Sequence, residues 1–288
     1  MVALEGSNQL TELYRSHPRT WREFKYCYPV VSRRSRGLSL GVNLNPDQAC
    51  NFDCVYCSVD RSAPPAVRSV DETELERELG ELLDLATSGA IWREEPFDRT
   101  PDALRRLNDL AFSGDGEPTS YAGFARMLAL AQRLLATRGV DARIVVITNA
   151  TLFGKAGVRE ALLGLRAQDE VWAKLDAGSE DWYLAVDRSD VPLARVLGNL
   201  RDLGRLRPLV IQSLWCRLHG EAPPAHELDA WAGRLQWLLD EGAQIDRVQV
   251  YTTARQTTEA WATALTAGEL EGIAQRVRGV GLGVEVHG

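Results

Sequence analysis

Short runs of apolar residues alternate with longer amphipathic segments along most of the chain beyond residue 36. Most of the runs are continuously apolar, which is typical of parallel strands that are covered by helices on both faces. Six strands and a weaker seventh are predicted, at Ser39–Leu44, Asp109–Ser113, Arg143–Thr148, Glu170–Asp176, Pro208–Leu214, Arg247–Thr252 and Gly283–His287.

The segments between the strands have the period of amphipathic helices, and several carry helix start or stop signals. Helices are predicted at Asp71–Ala86, Tyr121–Arg138, Lys155–Arg166, Val191–Leu203, Ala225–Glu241 and Gly268–Val277. This alternation predicts an α/β fold of parallel strands, either a partial (β/α)6 barrel of the TIM type or an open doubly wound sheet. We expect one domain over residues 37–288, preceded by an N-terminal extension over residues 1–36.

The net charge and the hydropathy of the chain bear on whether it binds nucleic acid or membranes. The formal net charge of −7 gives no general attraction to nucleic-acid phosphates or to anionic lipid. No run approaches the roughly 18 apolar residues of a membrane span, and the first residues lack an export signal, so a cytoplasmic protein is expected. Arg33, Arg34 and Arg36 form a local basic run, and an RNA substrate therefore stays an alternative.

Three of the five cysteines lie within eight residues, at Cys50, Cys54 and Cys57 in C-N-F-D-C-V-Y-C. This spacing is also that of a buried helical stripe, and a structural zinc site is a second alternative that needs a fourth ligand. Neither Cys216 nor a histidine completes such a set by local spacing. Three thiolates suit a [4Fe–4S] cluster with one iron left open, and clustered, odd-numbered cysteines argue against a disulfide framework.

The C-x3-C-x2-C loop, with Tyr56 directly before its last cysteine, resembles that of the radical S-adenosylmethionine superfamily. The resemblance implies that the open iron binds the amino and carboxylate groups of S-adenosylmethionine. One electron, supplied by an external donor of the flavodoxin or ferredoxin type, then gives a 5′-deoxyadenosyl radical. This radical is expected to abstract hydrogen from a small-molecule or peptide substrate.

A second motif, F-S-G-D-G-E-P-T, follows the second predicted strand and resembles the Gly-Gly-Glu motif of the same superfamily. The resemblance implies that Gly114, Asp115, Gly116 and Glu117 bind S-adenosylmethionine, because glycine lets a ligand approach the backbone and Glu117 offers a carboxylate. The alternative is a loop that leads into a helix N-cap at Thr119 or Ser120, and this role and ligand binding can both hold at once.

Tyr56 of the cysteine motif and four residues at the ends of later strands complete the set expected to bind S-adenosylmethionine: Asn149, Asp176, Ser213 and Tyr251. Capping of the core is the alternative for Tyr251. Lys174 and Asp176 lie on one face of the strand V-W-A-K-L-D-A-G. Because a buried charge without a partner is costly, they are expected to form an ion pair or to act on a ligand. Both are candidate catalytic residues.

The motifs together resemble the subgroup that includes the wyosine-base synthases of tRNA, which carry further N-terminal cysteines for a second cluster. Only Cys27 precedes the loop here, so one cluster is expected and the wyosine reaction is an alternative. Cys216 is expected to be a buried structural cysteine. A non-enzymatic iron–sulfur or zinc protein remains the other alternative.

Overall fold

The computed structural model of the chain describes residues 21–62 and 64–288, so most of the predicted N-terminal extension lies outside the described residues. The chain divides into two compact units. The first comprises the described residues up to Ala49 together with Pro65–Val145, and the second comprises Cys50–Pro64 and Val146–Gly288. The boundary predicted at residue 36 stays a prediction.

In the first unit, strand β1 (Cys27–Ser32) pairs antiparallel with β2 (Gly37–Val42), which pairs parallel with β3 (Leu107–Phe112). Every residue of β2 is buried, as its continuous apolar run predicts. The helices of this unit are α1 (Glu72–Thr87) and α2 (Phe124–Thr137), with short 3₁₀ turns at Ala90–Arg93, Phe97–Arg99, Asp102–Leu104 and Pro118–Ser120.

The second unit takes up the end of β4 (Arg143–Thr148) and contains strands β5 (Glu170–Lys174), β6 (Leu209–Leu214), β7 (Cys216–Leu218), β8 (Ile245–Tyr251), β9 (Ala262–Ala264) and β10 (Val284–His287). Strands β5, β6, β8 and β10 pair parallel in that order, and β7 pairs antiparallel with β9. Its helices are α3 (Ala156–Leu163), α4 (Glu180–Val186), α5 (Leu193–Gly204), α6 (Ala225–Asp240) and α7 (Ala267–Gly279). In the described ranges, no helix is both long enough and apolar enough to cross a bilayer.

All seven predicted strands and six predicted helices are present, with small shifts at their ends. Among the described residues, the strands and α-helices that were not predicted are β1, α4, β7 and β9. Strand β1 contains Pro29, which weakens a strand signal, and α4 has seven residues, fewer than two helical turns. Strands β7 and β9 have three residues each, too few for a periodic pattern.

One buried carboxylate fixes the start of β1. Glu78, on α1, is fully buried and accepts hydrogen bonds from the backbone N–H groups of Lys25 at 2.8 Å, Tyr26 at 2.9 Å and Cys27 at 3.0 Å. Charge-assisted bonds of this kind are among the stronger hydrogen bonds in proteins. The carboxylate therefore anchors the chain that leads into β1 against α1.

We expect Glu78→Ala to lower the free energy of unfolding by about 3 kcal/mol, because it leaves the buried N–H donors of Tyr26 and Cys27 and the part-buried one of Lys25 without an acceptor. Urea unfolding of the purified chain measures the loss. Glu76→Ala, on the same helix but partly exposed, is the matched control and should change stability by about 0.5 kcal/mol or less. Equal losses in the two variants would contradict the anchoring role.

Candidate functional site

The segment from Cys50 to Cys57 belongs to neither a helix nor a strand. Cys50 is exposed, and Cys54 and Cys57 are half-buried. The alternative of a buried helical stripe is therefore excluded, because that stripe needs a helix with all three side chains facing the core. We call this segment the cysteine loop.

Two other segments pair with the backbone of the cysteine loop. On one side, Asp53 N donates to Asp187 O at 3.0 Å and Val55 N donates to Val186 O at 2.9 Å. On the other side, Thr258 N donates to Cys57 O at 2.7 Å and Glu259 N donates to Val55 O at 3.3 Å. The loop is thus held between the end of α4 and the segment that follows β8.

A side-chain triangle ties the loop to the end of β4. Asn51 Nδ2 donates to Thr151 Oγ1 at 2.7 Å, and Asn149 Nδ2 donates to Asn51 Oδ1 at 2.7 Å. Asn149 Oδ1 in turn accepts from the backbone N and the hydroxyl of Thr151 at 3.1 and 2.7 Å. The predicted cofactor residue Asn149 therefore has a loop-positioning role in the structure.

A polar network joins the loop to the end of β5. The Tyr56 hydroxyl donates to Asp176 Oδ2 and, at 3.1 Å, to Asp187 Oδ1. Cys54 Sγ donates to the same Asp187 oxygen at 3.3 Å. Both aspartates are almost fully buried. The predicted residues Tyr56 and Asp176 are therefore brought together, and Asp187, which sequence reasoning missed, links them to a loop thiol.

Lys174 completes this network from β5. Its ammonium lies 2.8 Å from Asp176 Oδ2 and donates to the Tyr251 hydroxyl at 3.2 Å. It also lies 4.9 Å from the centre of the Tyr56 ring and 5.7 Å from that of Tyr251, within the range of cation–π attraction. The expected ion pair between Lys174 and Asp176 is present, flanked by two of the predicted cofactor residues.

The pKa values of Lys174 and Asp187 are both raised, which favours the charged form of the lysine and the neutral form of the aspartate. Burial lowers the pKa of Lys174, but the neighbouring Asp176 carboxylate and smaller contributions more than offset this, so that the pKa is raised well above its usual value. Burial, followed by the charge of Asp176, raises the pKa of Asp187 to about 8. At neutral pH, Lys174 is therefore a stable cation and Asp187 can retain a proton.

Ser213 lies on the opposite face of β6 from its neighbour Gln212, as alternation along the strand predicts. Its hydroxyl is fully buried and donates to the Leu175 carbonyl. Asp176 Oδ1 accepts from Leu214 N at 2.7 Å. The Ser213 hydroxyl thus links the ends of β5 and β6 in this structure. Its predicted contact with S-adenosylmethionine stays a prediction.

In the first unit, the predicted residues Gly114 to Glu117 form a tight loop. A Cβ atom on Gly114 would lie 2.3 Å from Asn43 Oδ1, and one on Gly116 would lie 1.9 Å from Ala49 O. The chain itself therefore fills the side of each glycine on which a Cβ atom would lie. The predicted contact of these glycines with S-adenosylmethionine stays a prediction. Both glycines are needed because the loop packs directly against the segment after β2.

The polar side chains of this loop are also engaged. Asn43 Nδ2 donates to Asp115 Oδ2 at 2.6 Å, and Asn43 Oδ1 accepts from Asp115 N at 3.2 Å. Glu117, the N-cap of the following 3₁₀ turn, accepts from Thr119 N at 3.1 Å and from the Thr119 hydroxyl. The expected N-cap is thus present two or three residues earlier than the predicted Thr119 or Ser120.

A row of polar side chains crosses the parallel strands of the second unit. Lys174, Gln212, Gln249 and Glu285 are register partners on β5, β6, β8 and β10. Gln212 Nε2 donates to Gln249 Oε1 at 2.8 Å, and Gln249 Nε2 donates to Glu285 Oε2 at 3.0 Å. Because a carboxylate only accepts, Glu285 sets the orientation of both amides. Gln212 Oε1 is left buried, with no hydrogen-bond partner among the described residues.

The donor set of the cysteine loop fits an iron–sulfur cluster. Its three thiols are the soft ligands that such clusters require. Within residues 21–62 and 64–288, no three His, Cys, Asp or Glu side chains converge as ligands of a single metal ion do. A cubane cluster makes no such demand, because each thiolate holds a different iron atom. Cys27 and Cys216 are both buried, as expected for structural cysteines.

Comparison with known proteins identifies the family. Residues 44–211 match the Radical SAM superfamily. A protein named GTPase Obg from Brachyspira hyodysenteriae is 24% identical over 248 residues, which are 84% of this chain and 32% of that protein. UPF0026 protein MJ1312 from Methanocaldococcus jannaschii is 30% identical over 176 residues, 59% of this chain and 46% of that protein. The chain spans less than half the length of these two relatives.

Solved structures show the fold. A radical SAM methyltransferase from Sphaerobacter thermophilus has a TM-score of 0.64 at 14% identity and covers 90% of this chain and 68% of its own. Streptococcus suis SuiB bound to S-adenosylmethionine has a TM-score of 0.60 at 14% identity, and the match covers 89% of this chain and 52% of SuiB. TYW1 with a bound lysine–pyruvate adduct has a TM-score of 0.51 at 18% identity, and the match covers 85% of this chain and 74% of the TYW1 chain. The predicted α/β fold with a partial TIM-type barrel is confirmed.

We expect the metal-free chain to lose stability relative to Asp187→Asn as the pH rises from 5.5 to 7.5. The raised pKa of Asp187 means that the folded state keeps a proton that the unfolded state releases above about pH 4. That stabilisation is complete below the unfolded pKa and is lost by about 1 kcal/mol per pH unit as the pH rises toward 8. Urea unfolding at several pH values measures it, and parallel stability curves for the two proteins would contradict it.

The two buried glutamines should behave as one unit. Gln249→Leu leaves Gln212 Nε2 without its acceptor, and Gln212→Leu leaves Gln249 Oε1 without its donor. The double variant should therefore cost less than the sum of the single variants, by about 1 kcal/mol. Urea unfolding of the four proteins gives this coupling energy, and strictly additive losses would show that the bond contributes nothing.

Proposed function

The chain belongs to the radical SAM superfamily, and we propose that it is an enzyme in which Cys50, Cys54 and Cys57 hold one [4Fe–4S] cluster. When reduced, such a cluster supplies the electron that cleaves S-adenosylmethionine to a 5′-deoxyadenosyl radical. The radical then abstracts hydrogen from a small-molecule or peptide substrate. The observation that carries this proposal is an irregular loop of three thiols whose backbone is fixed by other segments while its thiols stay at exposed or half-buried positions.

S-adenosylmethionine is proposed to bind the residues that match the superfamily motifs. These are Tyr56, Gly114, Asp115, Gly116, Glu117, Asn149, Asp176, Ser213 and Tyr251. Glu117 is proposed to accept from the amino group of S-adenosylmethionine, because a carboxylate has about four lone-pair sites. Asn149 and Ser213 act, on the contacts described above, chiefly by fixing the loop and the strand ends.

Lys174 and Asp176 are proposed to act as a fixed pair rather than as a proton shuttle. The raised pKa of Lys174 keeps the ammonium charged, so that it serves as a hydrogen-bond donor and positive charge. Asp176 holds that charge in place while accepting from Tyr56 and from Leu214 N. A charge held in this way positions a polar ligand without reorganising when the ligand binds.

The reaction also needs partners outside this chain. The electron is proposed to come from a flavodoxin-type or ferredoxin-type protein. The cytoplasm suits a protein whose loop thiols have to stay reduced in order to bind iron.

The test is anaerobic reconstitution with iron and sulfide, then reduction by dithionite with S-adenosylmethionine and chromatography for 5′-deoxyadenosine. The wild-type chain should hold about four irons and form the product. Cys54→Ala should lose both, because the cluster loses one of its three ligands.

Cys27→Ala is the matched control, since Cys27 is a buried cysteine of the first unit whose thiol faces the Leu75 carbonyl. It should retain both the iron and the product. A wild-type protein that holds the cluster but forms no 5′-deoxyadenosine, or a Cys54→Ala variant as active as the wild type, would refute the proposed function.

A further inference from the structure

An arginine lies directly against one thiol of the cysteine loop. Arg61, four residues after Cys57, donates from Nη1 to Cys57 Sγ at 3.4 Å. It is partly buried, and no part of the proposed function assigns it a role. Arginine stays protonated at all physiological pH values and presents its N–H donors in a rigid plane. The contact therefore aims a permanent positive charge at one specific sulfur atom.

Acidic residues lie near the Cys54 thiol and within the cysteine loop. Cys54 Sγ faces the Asp187 carboxyl group at 3.3 Å. Asp53, within the loop, lies 3.5 Å from the Arg188 guanidinium, which is shared with Glu259 at 2.7 Å. Acidic groups near an iron–sulfur cluster oppose the arrival of an electron, and cations or N–H donors to its sulfurs favour it. The contact of Arg61 with Cys57 Sγ is of the kind that favours the arrival of an electron.

The anchors of the loop do not depend on the Arg61 side chain. Cys57 N donates to Cys54 O at 2.9 Å, and Cys57 O accepts from Thr258 N at 2.7 Å. Val55 packs in an apolar cluster with Val186, Leu214, Cys216 and Ala262. A change at Arg61 is therefore expected to leave the fold of the loop intact and to alter mainly its charge.

We propose that Arg61 is a positioning residue that raises the reduction potential of the cluster bound by Cys57, through its N–H···S hydrogen bond and its charge. This inference rests on the proposed function, because it needs the cluster. The step concerned is the uptake of one electron by the oxidised cluster from the external donor. Arg61 takes up neither the electron nor a proton in that step, and it stabilises the more negative reduced state.

The experiment is a redox titration of the reconstituted full chain without S-adenosylmethionine, in which electron paramagnetic resonance measures the reduced cluster. Arg61→Gln should lower the equilibrium constant for one-electron reduction at least tenfold, a shift of 59 mV to more negative potential. The potential of Arg61→Lys should lie between those of the wild type and Arg61→Gln, because lysine keeps the positive charge but lacks the planar fork of N–H donors. Arg195→Gln, which removes an exposed arginine of the same unit, should match the wild type.

The outcomes separate this inference from the proposed function. If the wild type assembles no cluster, the proposed function fails, and this inference falls with it. If the wild type and Arg61→Gln both hold about four irons and have equal potentials, only the role of Arg61 is overturned. If Arg61→Gln alone fails to hold iron, the reduction potential of the cluster in Arg61→Lys is the deciding measurement. A potential below that of the wild type supports the role of Arg61, and a potential equal to that of the wild type refutes it.

Discussion

The backbone of the cysteine loop is the constraint on which the candidate site depends. Eight residues without helix or strand pair few of their own N–H and C=O groups, and buried backbone groups need partners. The end of α4 and the segment after β8 supply those partners, and Asn51 ties the loop to the end of β4. Three separate parts of the chain therefore have to be in place before the thiols take up their positions, which couples the site to the folding of the whole second unit.

Buried carboxylates are used repeatedly in this chain to fix irregular backbone. Glu227, on α6, accepts from Gly178 N at 2.5 Å and from Ser179 N at 3.2 Å, as Glu78 does for the start of β1. A Cβ atom on Gly178 would lie 2.1 Å from Trp231 N, so the turn after β5 packs directly on α6. That turn follows Asp176, and the same interaction therefore helps to define the position of the Lys174–Asp176 pair.

Some parts of the site could be predicted from the sequence because the signal was local. The cysteine spacing, the ion pair on one face of β5 and the strand-end position of Tyr251 each follow from a few neighbouring residues. Others could not. Asp187 and Arg188 follow α4, a helix too short to give a periodic pattern. The close packing of Gly114 and Gly116 against Asn43 and Ala49 joins residues that are far apart in the sequence. The pairing of Ser213 with the Leu175 carbonyl likewise depends on which strands are neighbours.

The sequence by itself determined the α/β class, the approximate positions of the main strands and helices, and the family, because hydrophobic periodicity and cysteine spacing are local properties. Only the tertiary structure decided which residues surround the thiols, because those residues come from α4, from β5 and from the segment after β8. Their meeting depends on strand order and on the packing of α4. The direction of the hydrogen bonds along the Gln212–Gln249–Glu285 row has the same origin. No sequence motif marks these side chains, and the strand register alone places them side by side.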